Sequence, residues 1–234
     1  MSEKFSRSEL IYGKEAMAKL SKCHVAIFGV GGVGGYVAEA LARTGIGHFT
    51  LIDNDTVALS NFNRQIIATK DTLGKYKVDV MKERILSINE DAVVEVKKMF
   101  ALPENIDEID FSQFDYIVDA IDTVKAKLAI IKKANDLNIP MISSMGAGNK
   151  LNPMGFIVTD INKTDTCPLA KKIRYELRQM GIKKLKVVYS KEQPVELKEQ
   201  LFSENKKPIP GSNAFVPSAC GLLIASEVIN DLTK

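Results

Sequence analysis

Three groups of residues in this sequence have the types and spacing to do chemistry at a phosphate. The first is Gly29-Val30-Gly31-Gly32-Val33-Gly34, a G-x-G-x-x-G run. Glycines let a backbone turn tightly and approach a phosphate, and a helix N-terminus adds N–H donors and partial positive charge. Gly29, Gly31, Gly32 and Gly34 are therefore candidate phosphate contacts. The second group is Asp53, 19 residues beyond Gly34, with Asp55 two residues on. That distance is where related folds place an acid on a ribose hydroxyl. The third is the polar cluster Asn61, Asn63, Arg64 and Gln65, followed by Lys77 and Asp122.

These groups need particular elements beneath them. His24 to Phe28 is an apolar run rich in β-formers, and residues 35–43 carry apolar positions at helical spacing. Strand, glycine turn and helix together give the glycine run its meaning. A Walker loop is excluded, because Gly35-Tyr36 stand where Lys-Ser/Thr is required. Phe49 to Asp53 reads as a second strand, 75–89 as an amphipathic helix, 93–96 and 115–120 as strands, 123–137 as a helix and 139–143 as a strand. Strands 156–161 and 185–189 flank a helix from Pro168 to Met180, with Gly181 as its C-terminal cap. An N-terminal helix is expected over 8–20, packing Leu10, Met17 and Leu20, and a closing helix over 219–232. Residues 191–212, charged and with three prolines, read as a mobile loop. Alternating strands and helices predict an α/β, Rossmann-like, doubly wound and mostly parallel sheet with a small C-terminal α+β extension. Residues 1–150 would form the ATP-binding part and 151–234 an extension of the same globular unit.

The polar cluster narrows the chemistry. A nicotinamide enzyme has no need of Asn-x-Asn-Arg-Gln just past the ribose acid. Cleavage of ATP between its α and β phosphates does need cations, because charge builds on the bridging and leaving oxygens. Arg64 and Lys77 are the candidate cations, and Asn61 and Gln65 flank them. Asp122, at a strand's carboxyl end, has two readings: a ligand for Mg²⁺ against phosphate oxygens, or a cap for the helix from Thr123. Lys125 is a weaker candidate for phosphate.

Together these stretches resemble the ubiquitin-activating-enzyme-like adenylyltransferases. The matching residues are Gly29 to Gly34, Leu51-Ile52-Asp53, Asn61 to Gln65, Gly74-Lys75-Tyr76-Lys77 and Asp119-Ala120-Ile121-Asp122. The resemblance implies ribose binding by Asp53, phosphate contacts by Arg64 and Lys77, and Mg²⁺ held by Asp122. It also implies that Arg7 reaches the ATP site of a neighbouring subunit, and hence a homodimer. Within that superfamily the chain is most similar to the tRNA threonylcarbamoyladenosine dehydratase family. Residues 40–47, 118–122, 145–148 leading to 158–160, Pro168-Leu169-Ala170 and 217–221 carry that likeness. It implies adenylation of the carboxylate of threonylcarbamoyladenosine in tRNA, then closure on an internal nitrogen with release of AMP. Modified tRNA is the implied partner, and a sulfur-relay protein is a further possible one.

Two other function classes compete with this expectation. One is an adenylyltransferase for the C-terminal glycine of a ubiquitin-like sulfur carrier; the other is a non-catalytic nucleotide sensor. Sulfur-carrier relatives commonly carry paired C-x-x-C motifs, whereas Cys23, Cys167 and Cys220 are scattered. They fit a reducing compartment; Cys23 and Cys220 read as packing residues, and Cys167, in a loop before Pro168, as a buried or incidental thiol rather than a catalytic one. The N-terminus is too polar for a signal peptide and no run reaches membrane-spanning length, so the cytoplasm is expected. A net charge of +3 over 234 residues argues neither for nor against nucleic acid. Local charge says more: Lys163, Lys171, Lys172, Arg174, Arg178, Lys183, Lys184 and Lys186 face only Asp165 and Glu176 across 163–186. On the helix, Lys171, Lys172, Arg174 and Arg178 fall outside the apolar stripe. Either a solvated face or a tRNA backbone contact accounts for them.

Overall fold

The computed structural model describes residues 3–203, 206 and 208–234. β-Branched, aromatic and leucine side chains predominate in its central strands, as propensity favours. β1 (His24–Phe28), β2 (His48–Ile52), β3 (Val93–Lys97), β4 (Tyr116–Asp119), β5 (Met141–Ser144), β6 (Phe156–Asp160) and β7 (Lys186–Ser190) form one sheet of order β3-β2-β1-β4-β5-β7-β6. Every neighbouring pair is parallel except β6–β7. In β1, Val25 and Ile27 enter one apolar layer and Ala26 and Phe28 the other. That is the pattern of a parallel strand covered on both faces.

The helices are α1 (Ser6–Tyr12), α2 (Lys14–Leu20), α3 (Gly34–Arg43), α4 (Lys77–Ile88), α5 (Val124–Asp136), α6 (Pro168–Gln179) and α7 (Val216–Thr233). One layer joins α2, α3, α4 and α7 through Leu20, Leu41, Met81 and Ile224. The opposite face packs α5 with residues 101–114, and α6 with β7. Strand order runs outward from β1 to β2 and β3, then resumes on the other side of β1 at β4. Doubly wound sheets bind ligands at such a switch point, outside the carboxyl ends of the strands. The glycine run leaves β1 there and Asp119 ends β4 there.

The N-terminal helix differs from expectation. It is two helices, broken at Gly13, whose φ of +83° favours glycine and ends α1. Met17 and Leu20 are buried as expected, but Leu10 is 87% exposed because α1 turns away from the core. α7 starts at Val216, three residues before the expected 219, with Pro217 in its first turn. A Cβ on Gly221 would stand 2.4 Å from the Val33 carbonyl, so α7 presses against the start of α3. Residues 191–212 are irregular apart from a bridge between Phe202 and Pro208, and 204, 205 and 207 lie outside the described residues.

Candidate functional site

The glycine turn is held from both sides. Gly29 has φ of +88°, and a Cβ on it would meet the Ala120 carbonyl oxygen at 2.9 Å. A Cβ on Gly34 would lie 1.8 Å from the Gly29 carbonyl oxygen. These two glycines are demanded by the close approach of the turn, α3 and the segment after β4. Gly31 is different: the nearest neighbour of its Cβ position is Gln65 Nε2 at 3.9 Å. Beside Gly32 stand Pro217 and the Arg64 stem, at 3.3 and 3.4 Å from the Cβ position. Gly31 therefore leaves open space at the turn, bordered by Gln65.

Asp53 stitches the end of β2 to that turn. Its Oδ2 accepts from the Val30 N–H at 2.7 Å and its Oδ1 from the Asp55 N–H at 2.8 Å. The carboxylate remains half-buried. Asp55 in turn receives Lys77 Nζ at 2.6 Å. The backbone explains the meeting: Gly74 N–H donates to Val57 O, Val57 N–H to Lys75 O and Lys77 N–H to Asp55 O. This short pairing brings the start of α4 back to the end of β2. Lys77 is 5% exposed.

The polar cluster forms a helical turn across the mouth. Gln65 N–H donates to Asn61 O, and Asn61 Oδ1 accepts from the Ala58 N–H at 3.0 Å. Asn61 thus shapes the loop. Arg64 spends one guanidinium nitrogen on Ser60 O at 2.7 Å and Asn63 Oδ1 at 2.9 Å. Asn63 ties the loop to Ser212 O, just before α7. Gln65 is 7% exposed, and its Oε1 has no hydrogen-bond partner among the described residues. A buried polar atom without a partner costs about 1–3 kcal/mol. The other end of the same amide, Nε2, is the atom that comes nearest the Gly31 Cβ position, at 3.9 Å.

Asp122 stands at the other side of the crevice, beyond β4. It is exposed, and Thr123 Oγ1 lies 3.4 Å from its Oδ1. Thr123 is the N-cap residue of α5, and no side-chain bond caps that helix. The capping reading of Asp122 therefore falls away. Lys125 points elsewhere, pairing with Glu104 at 3.1 Å. Arg7 is exposed on α1. The structure brings together Gly29 to Gly34, Asp53, Asp55, Asn61, Arg64, Gln65 and Lys77. Asp122 joins them through Ala120, which packs against Gly29 and Gly34.

The ThiF family model matches residues 5–234. The chain belongs to the ThiF family. It is 44% identical over all of its length to the tRNA threonylcarbamoyladenosine dehydratase of Bacillus subtilis, covering 96% of that protein. Among solved structures, the Escherichia coli tRNA N6-threonylcarbamoyladenosine dehydratase in complex with AMP superposes with a TM-score of 0.90 at 35% identity, covering 98% of this chain and 94% of that one. The same E. coli enzyme in complex with ATP gives 0.89, with 98% and 93% covered. The expected α/β fold and the expected family both hold.

Sequence reasoning missed one cluster beneath this ThiF family site. Lys127 and Asp119 are fully buried and paired at 2.9 Å. The signal was present: Lys127 shares a helical face with Ile130, Ile131 and Ala134, all buried. The three cysteines are buried, as packing residues are, and burial pushes the Cys220 thiol up to about 12. Arg174, expected to face outward, instead donates to Ile161 O at 3.2 Å and Thr164 O at 2.8 Å. The two carbonyls bracket the short turn Ile161–Lys163 before α6 and draw the guanidinium in.

Proposed function

We propose that this chain is an ATP-dependent tRNA threonylcarbamoyladenosine dehydratase. The observation that carries the proposal is the Asp53–Asp55–Lys77 chain tied to the glycine turn, in a protein similar over its whole length to enzymes of that name. In this reading Gly31 and Gly32 admit the phosphates, with Gln65 Nε2 the donor nearest Gly31, and Asp53 takes the ribose. Arg64 and Lys77 stabilise charge on the phosphate oxygens as the bond between α and β phosphates breaks. Asp122 offers an exposed oxygen ligand of the kind Mg²⁺ takes, and that cation would neutralise charge on the departing pyrophosphate.

The substrate carboxylate attacks the α-phosphate and expels pyrophosphate. A carboxylate is a poor electrophile until AMP becomes its leaving group. Closure by a nitrogen of the same molecule then expels AMP and completes the loss of one water. Being intramolecular, that step gains on the order of 7–11 kcal/mol from positioning, so no protein nucleophile is needed. The buried thiols agree with that economy.

Exposed Leu10 and Ile11, beside Arg7 on α1, support a homodimer in which Arg7 enters the partner's ATP site. Exposed Lys171 and Arg178 on α6 support contact with the tRNA backbone. Among the described residues no helix is long and apolar enough to cross a membrane, and we place the enzyme in the cytoplasm with its tRNA. A sulfur-relay protein is retained as a possible partner.

The test is AMP release from ATP with tRNA bearing threonylcarbamoyladenosine and with tRNA lacking it. Release with the modified tRNA alone, with loss of one water from the nucleoside mass, is the expected result. Release with neither overturns the proposal and favours a sulfur-carrier protein as substrate.

A further inference from the structure

Lys127 sits in the first turn of α5 with none of its side chain exposed. A lysine ammonium has three donors, and all three are spent inside the protein. They go to Asp119 Oδ2 at 2.9 Å, Ser143 Oγ at 3.2 Å and Ser144 O at 2.7 Å. Ser143 Oγ also donates to Asp119 Oδ2 at 2.6 Å, while Asp119 Oδ1 accepts from the Ile121 N–H at 3.2 Å. One ammonium thus ties the last residue of β4, the last two of β5 and the beginning of α5.

A buried ion pair is weak evidence for stability, since apolar residues of similar volume often serve as well. Its placement points to another use. Asp119 fixes the turn through Ile121, and Asp122 is the next residue along. Ala120, inside the same turn, meets Gly29 through its carbonyl and Gly34 through its Cβ. The hydrogen bonds run from Lys127 to Asp119 to Ile121, one peptide short of the proposed Mg²⁺ carboxylate, and Lys127 itself stays beneath the nucleotide crevice.

We propose that Lys127 is a positioning residue: with Asp119 it holds the 120–122 turn so that the Asp122 carboxylate meets a phosphate-bound cation. This rests on the reading of Asp122 as the Mg²⁺ ligand, and the experiment separates the two. ATP binding is measured by calorimetry with and without Mg²⁺ for the wild-type chain, Asp122→Asn, Lys127→Met and the charge-neutral double variant Asp119→Asn/Lys127→Met, with melting temperature recorded in parallel. Outer residues that orient a metal ligand typically change metal affinity about 10–100-fold. We expect the wild type to bind ATP more tightly with Mg²⁺ and Asp122→Asn to lose that gain. Both Lys127 variants should lose it about tenfold or more, while binding without Mg²⁺ stays within about twofold.

The double variant should recover much of the melting temperature lost by Lys127→Met, because it leaves no unpaired buried charge. It should not recover the Mg²⁺ gain. A merely structural role would move the melting temperature and leave the Mg²⁺ gain intact. Should Lys127→Met fail to fold, the double variant and Ser143→Ala carry the test, and a wild-type Mg²⁺ gain in them overturns the proposal. A wild type without any Mg²⁺ gain, or an Asp122→Asn variant that keeps it, overturns the metal reading and this inference with it.

Discussion

Lys77 Nζ lies 2.6 Å from Asp55 Oδ2, with the lysine side chain 7% exposed and the aspartate 60% exposed. The geometry delivers a nearly buried cation to a largely exposed carboxylate. Its stem is enclosed, so the ammonium gives up little rotamer freedom when a phosphate oxygen takes over from Asp55. Lys77→Met is expected to cut AMP release by about 10²–10³-fold, the usual cost of losing one donor to developing charge. Asp55→Ala should do less, since the ammonium survives. Single-turnover AMP release, with circular dichroism as a check on the fold, measures both.

Arg64 lies beside Gly32 and Asp122 beyond the end of β4, and neither belongs to the apolar core. Arg64→Ala and Asp122→Ala should each abolish turnover while changing stability by no more than a surface substitution does, roughly 0.5 kcal/mol. Near-normal AMP release by either variant removes that residue from the mechanism.

The part of the site that was legible in the sequence is the part that local rules dictate. Gly29 to Gly34 follows a strand and opens a helix, so its place between β1 and α3 could be read from context. Asp53 was legible by its distance from the glycines. Lys127 was not singled out, because a lysine in a helix normally reads as solvent-facing; only packing shows that Asp119, 8 residues earlier, meets it. Arg174 failed for the related reason that two carbonyls from residues 161 and 164 reach it in three dimensions. The break at Gly13 was legible only as a glycine, since an isolated one inside a helical pattern is often tolerated.

Gly31 and Gly34 should separate ligand space from chain geometry. A Cβ on Gly34 would collide with the Gly29 carbonyl at 1.8 Å, and backbone has nowhere to go. Gly34→Ala is expected to destabilise by about 3 kcal/mol, the upper range for overpacking. A Cβ on Gly31 meets nothing closer than 3.9 Å. Gly31→Ala should therefore melt like the wild type and bind ATP at least about tenfold more weakly, by intruding where phosphate passes. Differential scanning fluorimetry with and without ATP reads both quantities.

Glu39 on α3 joins Arg43 at 2.7 Å and Arg84 on α4 at 2.6 Å. Burial alone would raise its carboxyl, but hydrogen bonds from Arg84 and Arg43 carry it below the ordinary range. A folded value below the unfolded one stabilises at pH above the usual carboxylate range and is lost as pH falls through the folded value. Glu39→Gln should therefore reduce the melting temperature at neutral pH and flatten its decline on acidification. Parallel curves for variant and wild type between pH 7 and pH 3 would contradict that assignment.

The basic face of α6 offers a prediction that the nucleotide site does not share. Lys171 and Arg178 are exposed, whereas Lys172 is paired with Glu176 at 3.0 Å and Arg174 is turned inward. Backbone phosphate contacts release counterions, so each lost contact lowers affinity and reduces the salt dependence of binding by about one. Lys171→Ala/Arg178→Ala is expected to weaken tRNA binding at low salt and to reduce the slope of log affinity against log salt by about two. ATP affinity should be unchanged, because both side chains lie on α6, outside the site elements. Filter binding of tRNA across a salt series gives the slope, and a wild-type slope with wild-type affinity would leave α6 a solvated helix face.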